Sequence, residues 1–213
     1  MSSFLEVLGA SALLVGAAFF LAEKSLAQPS NLPENTIYFI RNGEKTPLLI
    51  PQKAFWELKN DKTERPGVGK TESSWEKTAL HVTMKGLLAS LPGSWGRVGF
   101  SLIETAVTKP IQRSEGIVFR AKGTESAHFS VLVKDRQSHQ PQGTLTFQWD
   151  FEAQKETTEY FAKWEDFVPT IRGQKVEGFE LDLFSVHSLS FQISRSQQQK
   201  LKDTVPLEFE LEL

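Results

Sequence analysis

Cysteine is missing from all 213 residues of this chain. Its absence excludes disulfides, thiolate nucleophiles and zinc or iron–sulfur sites built on sulfur. No Asn-x-Ser/Thr sequon is present, so there is no acceptor for N-glycosylation. No basic stripe stands out, and a formal net charge of −2 gives no electrostatic footprint for nucleic acid. The four histidines, His81, His128, His139 and His187, form no H-x-x-x-H or H-E-x-x-H pair. There is no G-x-S-x-G elbow, no G-x-G-x-x-G fingerprint and no D-x-D-x-D-G calcium loop. The expectation is a protein that is not an enzyme, with no metal and no cofactor.

What is present is enough for one good core. The chain is 39% hydrophobic and 23% charged, with sixteen Phe and five Trp. A chain of this length buries roughly 70% of the surface its unfolded form exposes, so it needs no staple to fold. Period-two runs at Ala79–Met84, Arg97–Ile103, Glu115–Ala121, Ala127–Lys134, Thr144–Phe151, Ser188–Ser194 and Val205–Leu213 predict strands with one dry and one wet face. The last is the cleanest: Leu207, Phe209, Leu211 and Leu213 alternate with Glu208, Glu210 and Glu212. Such strands, separated by Gly, Pro and polar turns, predict an all-β antiparallel sandwich.

Val7–Ala22 is an uninterrupted run of small and apolar residues. With Phe4 and Leu5 it reaches the roughly 17–25 residues that a bilayer core requires. A cleaved signal peptide is the rival, with Ser25-Leu26-Ala27 as the small-x-small site before Gln28. The lack of Lys or Arg ahead of the run, where Glu6 stands instead, favours a retained single-span anchor over residues 4–24. Lys24 then places the following domain on the cytoplasmic or stromal side. Residues 25–52, with Pro29, Pro33, Pro47 and Pro51, read as an extended linker holding one short strand at Thr36–Arg41. Residues 53–213 are left for the sandwich.

Lys59–Lys77 is the most polar insertion and reads as a mobile loop. Its Gly69-Lys70-Thr71 lacks the earlier glycine of a phosphate loop, since position 64 is Glu. Trp75, among Ser73, Ser74 and Glu76, is the best candidate for an exposed aromatic, either a protein-contact anchor or a sugar platform. Asp150 and Glu152 share a strand face with Gln148, opposite Phe147, Trp149 and Phe151. A solvated strand face is the better reading there than a glycosidase dyad.

The most distinctive string is W-E-D-F-V-P-T-I-R-G, from Trp164 to Gly173. Pro169 cannot donate to a ladder and pushes Val168 extended, Gly173 permits a left-handed turn, and Trp164 and Phe167 can bury large areas. It reads as an ordered loop pinned to the sandwich. This string resembles the signature of the complex I intermediate-associated protein family. The similarity extends to W-G-R-V-G-F-S-L-I-E (Trp95–Glu104), G-I-V-F-R-A-K-G (Gly116–Gly123) and H-S-L-S-F-Q-I-S (His187–Ser194), covering Phe55–Leu213. Asn60 and Asp61 match the family's Asn-Asp, while the glycine turn that usually follows is replaced by Lys62, Thr63 and Glu64.

The resemblance implies a galactose-binding-like jelly roll. It also implies a role in assembling a membrane complex, as for relatives that act as chaperones for the respiratory NADH dehydrogenase or in biogenesis of photosynthetic complexes. Expected partners are subunits or intermediates of such a complex and, through the anchor, a membrane; nucleic acid and small molecules are not expected. The expected contact residues are Asn60, Asp61, Trp75, Asp166, Phe167, Val168, Pro169, Thr170, Arg172 and Gly173. If the N-terminal run is a signal peptide, the alternative is a secreted or lumenal carbohydrate-binding module.

Overall fold

A computed structural model of the chain describes residues 32–66, 69–89, 99–198 and 206–213. The anchor expected at residues 4–24 and the first part of the linker, 25–31, lie outside the described residues. Among the described residues no helix is long and apolar enough to cross a membrane.

Strands dominate. In chain order the first are β1 (Ile37–Arg41), β2 (Glu44–Leu49), β3 (Glu57–Asn60), the one-turn helix α1 (Asp61–Glu64), β4 (Glu72–Lys77) and β5 (Val82–Leu88). Next come β6 (Phe100–Ala106), β7 (Gly116–Gly123), β8 (His128–Lys134), β9 (His139–Gln140) and β10 (Gly143–Glu152). The last are β11 (Thr158–Lys163), β12 (Val168–Ile171), β13 (Gln174–Lys175), β14 (Ser188–Ser194) and β15 (Leu207–Glu212). They form two antiparallel sheets. One has seven strands in the order β2-β1-β7-β15-β5-β4, with β11 also paired to β7. The other has eight, β13-β12-β10-β8-β14-β6-β3, with β9 paired to β10.

The core lies between the inner faces of the two sheets and follows the alternation in the sequence. In β15, Phe209 and Leu211 are buried and Glu208 and Glu210 exposed. At the centre, Phe119 of β7 meets Phe191 of β14 and Phe151 of β10 edge-on, at 5.1 and 5.3 Å between ring centroids. Such pairs add to the area they bury because ring edges and faces carry opposite partial charge. Trp149 packs against this core, as the alternation predicts.

Three expectations are corrected. The segment read as a linker holds a hairpin: β1 turns at Asn42 and Gly43, with φ of 52° and 74°, and returns as β2. Two positive angles define the hairpin turn that matches strand twist, and Asn-Gly is its strongest sequence signal. Ile37, Phe39 and Leu48 enter the core, so the sandwich starts before residue 53. The polar insertion is not a loop throughout. Its second half is β4, paired along its whole length with β5, and Trp75 is half-buried against the core rather than displayed. The W-E-D-F-V-P-T-I-R-G string is likewise a short 3-10 turn followed by strand β12, which pairs with β10 from Leu145↔Ile171 to Gln148↔Val168.

Candidate functional site: a polar cleft on the eight-stranded sheet

The outer face of the eight-stranded sheet forms a cleft of about 690 Å³. Period-two geometry decides what lines it. Where Phe147 and Pro169 point to the core, their neighbours Thr146 and Thr170 point out, paired in register, their hydroxyl oxygens 3.0 Å apart. Leu132 and Lys134 of β8, Ser190 and Gln192 of β14, Leu102 and Glu104 of β6 and Lys59 of β3 continue the floor.

Glu104 is the electrostatic centre. Lys134 reaches its Oε2, Lys59 Nζ lies 3.1 Å from its Oε1, and Ser190 Oγ donates to Oε2 at 3.2 Å. Burial pushes this carboxyl up, but the hydrogen bonds and charges of Lys134 and Lys59 outweigh it and hold it below the ordinary value. Burial likewise pushes the Lys59 ammonium down, and its bonds to Glu57 and Glu104 outweigh that and hold it above its ordinary value. A second network surrounds Asp150. Its Oδ1 accepts from Ser130 Oγ at 2.6 Å and from Gln148 Nε2 and Gln197 Nε2 at 2.8 Å each. Asp150 is thus engaged as an acceptor. Among the described residues no group of three or more His, Asp or Glu is placed to hold a metal.

Two arginines stand at opposite edges. Arg65 follows α1 and lies over the Phe100 ring at 5.6 Å. Arg172 and Gly173 form the β12–β13 turn, with φ of 54° and 75°. Gly143 leaves the room that Arg172 occupies: a Cβ there would lie 3.2 Å from Arg172 Nε.

The residues expected from sequence divide between scaffold and surface. Thr170, Arg172 and Gly173 line the cleft. Asp166 and Val168 are exposed beside it, while Phe167 is buried, its ring centroid 5.3 Å from that of Trp164. Pro169 is half-buried on the inner face. Trp164 is buried too and donates from Nε1 to Ser114 Oγ at 2.8 Å. Asn60 caps α1, accepting from Thr63 N at 2.9 Å and donating to Ser73 Oγ at 2.8 Å. Asp61 is fully buried and accepts from the backbone of Lys70 and Thr71 at 3.0 and 3.1 Å. These amides of the Gly-Lys-Thr stretch, which a phosphate loop would offer to a ligand, are bound to the chain's own carboxylate. Asn60 and Asp61 therefore hold the turn that carries Arg65. Trp75 belongs to the other sheet and is not brought to the cleft.

Sequence reasoning missed Lys59, Glu104, Lys134 and Arg65. Glu104 had a signal, as a carboxylate at an outward position amid the apolar S-L-I-E run, but its partners come from other strands, 45 and 30 residues away.

The family model described as "Complex I intermediate-associated protein 30" matches residues 48–213. No curated protein sequence matches the chain. Among solved structures, the chain is similar to a family 11 carbohydrate-binding module from Clostridium thermocellum in complex with a β-1,3-1,4-mixed-linked tetrasaccharide. That likeness has a TM-score of 0.51 and 12% identity, covering 77% of this chain and 90% of that one. A second structure, of the family 11 module of the cellulosomal cellulase Lic26A-Cel5E from the same organism, gives 0.47 and 11%, covering 77% and 89%. At these identities the first likeness concerns the fold alone.

Proposed function

The chain belongs to the complex I intermediate-associated protein 30 family, and from that premise we propose that it is a non-catalytic, membrane-tethered assembly factor or accessory subunit. Its sandwich, residues 53–213 with the β1–β2 hairpin, binds subunits or intermediates of a respiratory or photosynthetic membrane complex. The observation that carries this reading is the family match across nearly the whole sandwich, on a domain whose polar cleft is open and has its central carboxylate, Glu104, satisfied by Lys59, Lys134 and Ser190. Such a surface suits recognition of a polypeptide, and its carboxylates are held as acceptors rather than poised for proton transfer. Val7–Ala22 serves as the anchor, confining the domain to one membrane surface and raising its effective concentration near partners. Lys24 puts that surface on the cytoplasmic or stromal side. Asp166, Val168, Thr170, Arg172 and Gly173 make contact, while Phe167 and Pro169 position them and Asn60 and Asp61 hold the Arg65 turn at the opposite edge.

A carbohydrate-binding module is the second reading, favoured by the hydroxyl-rich cleft together with the fold likeness. Against it, the described lining holds one aromatic, Phe100, and no Trp or Tyr on which a sugar ring could stack. Affinity purification of the tagged full-length chain in mild detergent, with mass spectrometry of partners and of its own N-terminus, separates the two. Retention of the first residues with subunits of one complex supports the assembly role. A chain starting at Gln28, no complex, and binding on a glycan array support the module.

A further inference from the structure

We propose that the cleft seats an acidic, extended segment of a partner polypeptide, gripped at its two ends by Arg65 and Arg172. The inference rests on the assembly reading and names the chemistry of the contact. Its first support is charge. Lys59, Arg65, Lys134 and Arg172 line the cleft against Glu64 and Glu104, with Glu57 bonded to Lys59 and Asp150 held by Ser130, Gln148 and Gln197 at its margin. Lys59 and Lys134 are engaged with Glu104, so the uncommitted positive charge sits on the two arginines.

The second support is that each arginine is placed with donors to spare. Arg65 is half-buried, makes no ion pair and has no hydrogen-bond partner at Nη1 among the described residues, so its guanidinium keeps donors for a carboxylate. Arg172 forms no ion pair among the described residues, although Asp166 lies close in sequence. Its side chain lies over Gly143 within the cleft lining, and its backbone adopts a left-handed angle that costs a non-glycine residue energy. Glycine would suit that turn better, so the guanidinium has a use that offsets the strain.

The third support is span. Arg172 adjoins β12 and Arg65 follows β3, with five inter-strand steps between those strands. At about 4.8 Å per step this is about 24 Å across the strands; Phe100 beneath Arg65 is level with Glu152 of β10 and Arg172 with Thr144, a further offset of about 26 Å along them, so the diagonal is about 35 Å, the reach of about ten extended residues. The occupied Phe100 face and the lack of Trp and Tyr in the described lining disfavour stacked sugars or bases.

The test uses the full-length chain in detergent and a fluorescent decaglutamate peptide, with decalysine as the opposite-charge probe. Decaglutamate is expected to bind, and decalysine is not. Arg172→Gly and Arg65→Gln are each expected to weaken binding about tenfold, the worth of one charge-assisted hydrogen bond. Lys53→Glu, exposed and outside the cleft, is expected to change binding little. Arg172→Gly keeps the turn and should melt at or above the wild type, so its loss would not reflect unfolding. Failure of decaglutamate to bind, equal binding of decalysine, or an Arg172→Gly variant that binds like the wild type would overturn the proposal. Co-purification separates it from the reading it rests on. Peptide binding without any complex subunit leaves the acidic-segment cleft standing and removes the assembly role. Subunits that co-purify equally with the wild type and a variant combining Arg65→Gln with Arg172→Gly keep the assembly role and overturn the cleft.

Discussion

The two outer faces of the sandwich are built on opposite principles. On the seven-stranded sheet, alternate residues that should meet water are apolar: Tyr38, Ile40 and Val118 are 3%, 2% and 2% exposed, and Leu32 packs against them. Ion pairs edge this strip, Lys45 with Glu159 at 2.8 Å and Arg120 with Glu34, and the Lys45 ammonium lies 5.8 Å from the Tyr38 ring centre. On the eight-stranded sheet the same alternation delivers hydroxyls, amides and charges, with Glu104 paired to Lys59 and Lys134 at the centre, and leaves an open cleft. One face thus receives the chain's own incoming segment at Leu32. The other is left free for something else.

This contrast can be broken at several points. Trp164→Ala removes a buried ring and the hydrogen bond that Ser114 Oγ accepts, leaving that hydroxyl with only its bond to the Ile111 carbonyl. We expect a loss of about 3–5 kcal/mol, read by denaturant or thermal unfolding; a melt that barely moves would show that the turn is held by other means. Ile40→Ala tests the apolar outer face, with an expected cost of about 2–4 kcal/mol, whereas a truly solvated strand face would register almost nothing.

Glu104→Gln leaves Lys59 and Lys134 without their shared carboxylate, at an expected cost of about 1–3 kcal/mol near neutral pH. The sign of its pH dependence follows from the two shifted groups. Glu104 is held below its ordinary 4.5, so its contribution is present above that value and lost as pH falls through the folded pKa. Lys59 is held above 10.5, so its contribution is present below that value and lost as pH rises through the folded pKa. The stability gap between wild type and variant should be full from about pH 4.5 to 10.5 and close at lower pH; a gap that persists in strong acid would refute the charge explanation. The smallest effect is expected of Gln192→Ala. This residue lines the cleft with no side-chain hydrogen bond among the described residues, and unfolding should move by less than about 0.5 kcal/mol.

The comparison also explains what could be read from sequence. β10 and β15 were legible because each has a dry face and a wet one. β11 was not, because Phe161 points to the apolar outer strip in register with Val118 while Tyr160 packs on the core, so its alternation is erased. β4 was hidden by polar residues at the edge of a sheet, and β12 by its proline. The β1–β2 hairpin was readable in Asn42-Gly43 but masked by the prolines around it. At the site, Gly173 marked the turn and Trp164 and Phe167 its supports. The Glu104 triad arises from three strands that no local pattern joins.

The most direct test places a photo-crosslinking residue at Gln192, within the cleft, or at Glu208, exposed on the opposite sheet, in the full-length protein in its native membranes. Our account predicts crosslinks from position 192 to an acidic segment of one membrane-complex subunit, and none to that subunit from position 208. Capture from position 208 alone would contradict it and assign partner binding to the other face.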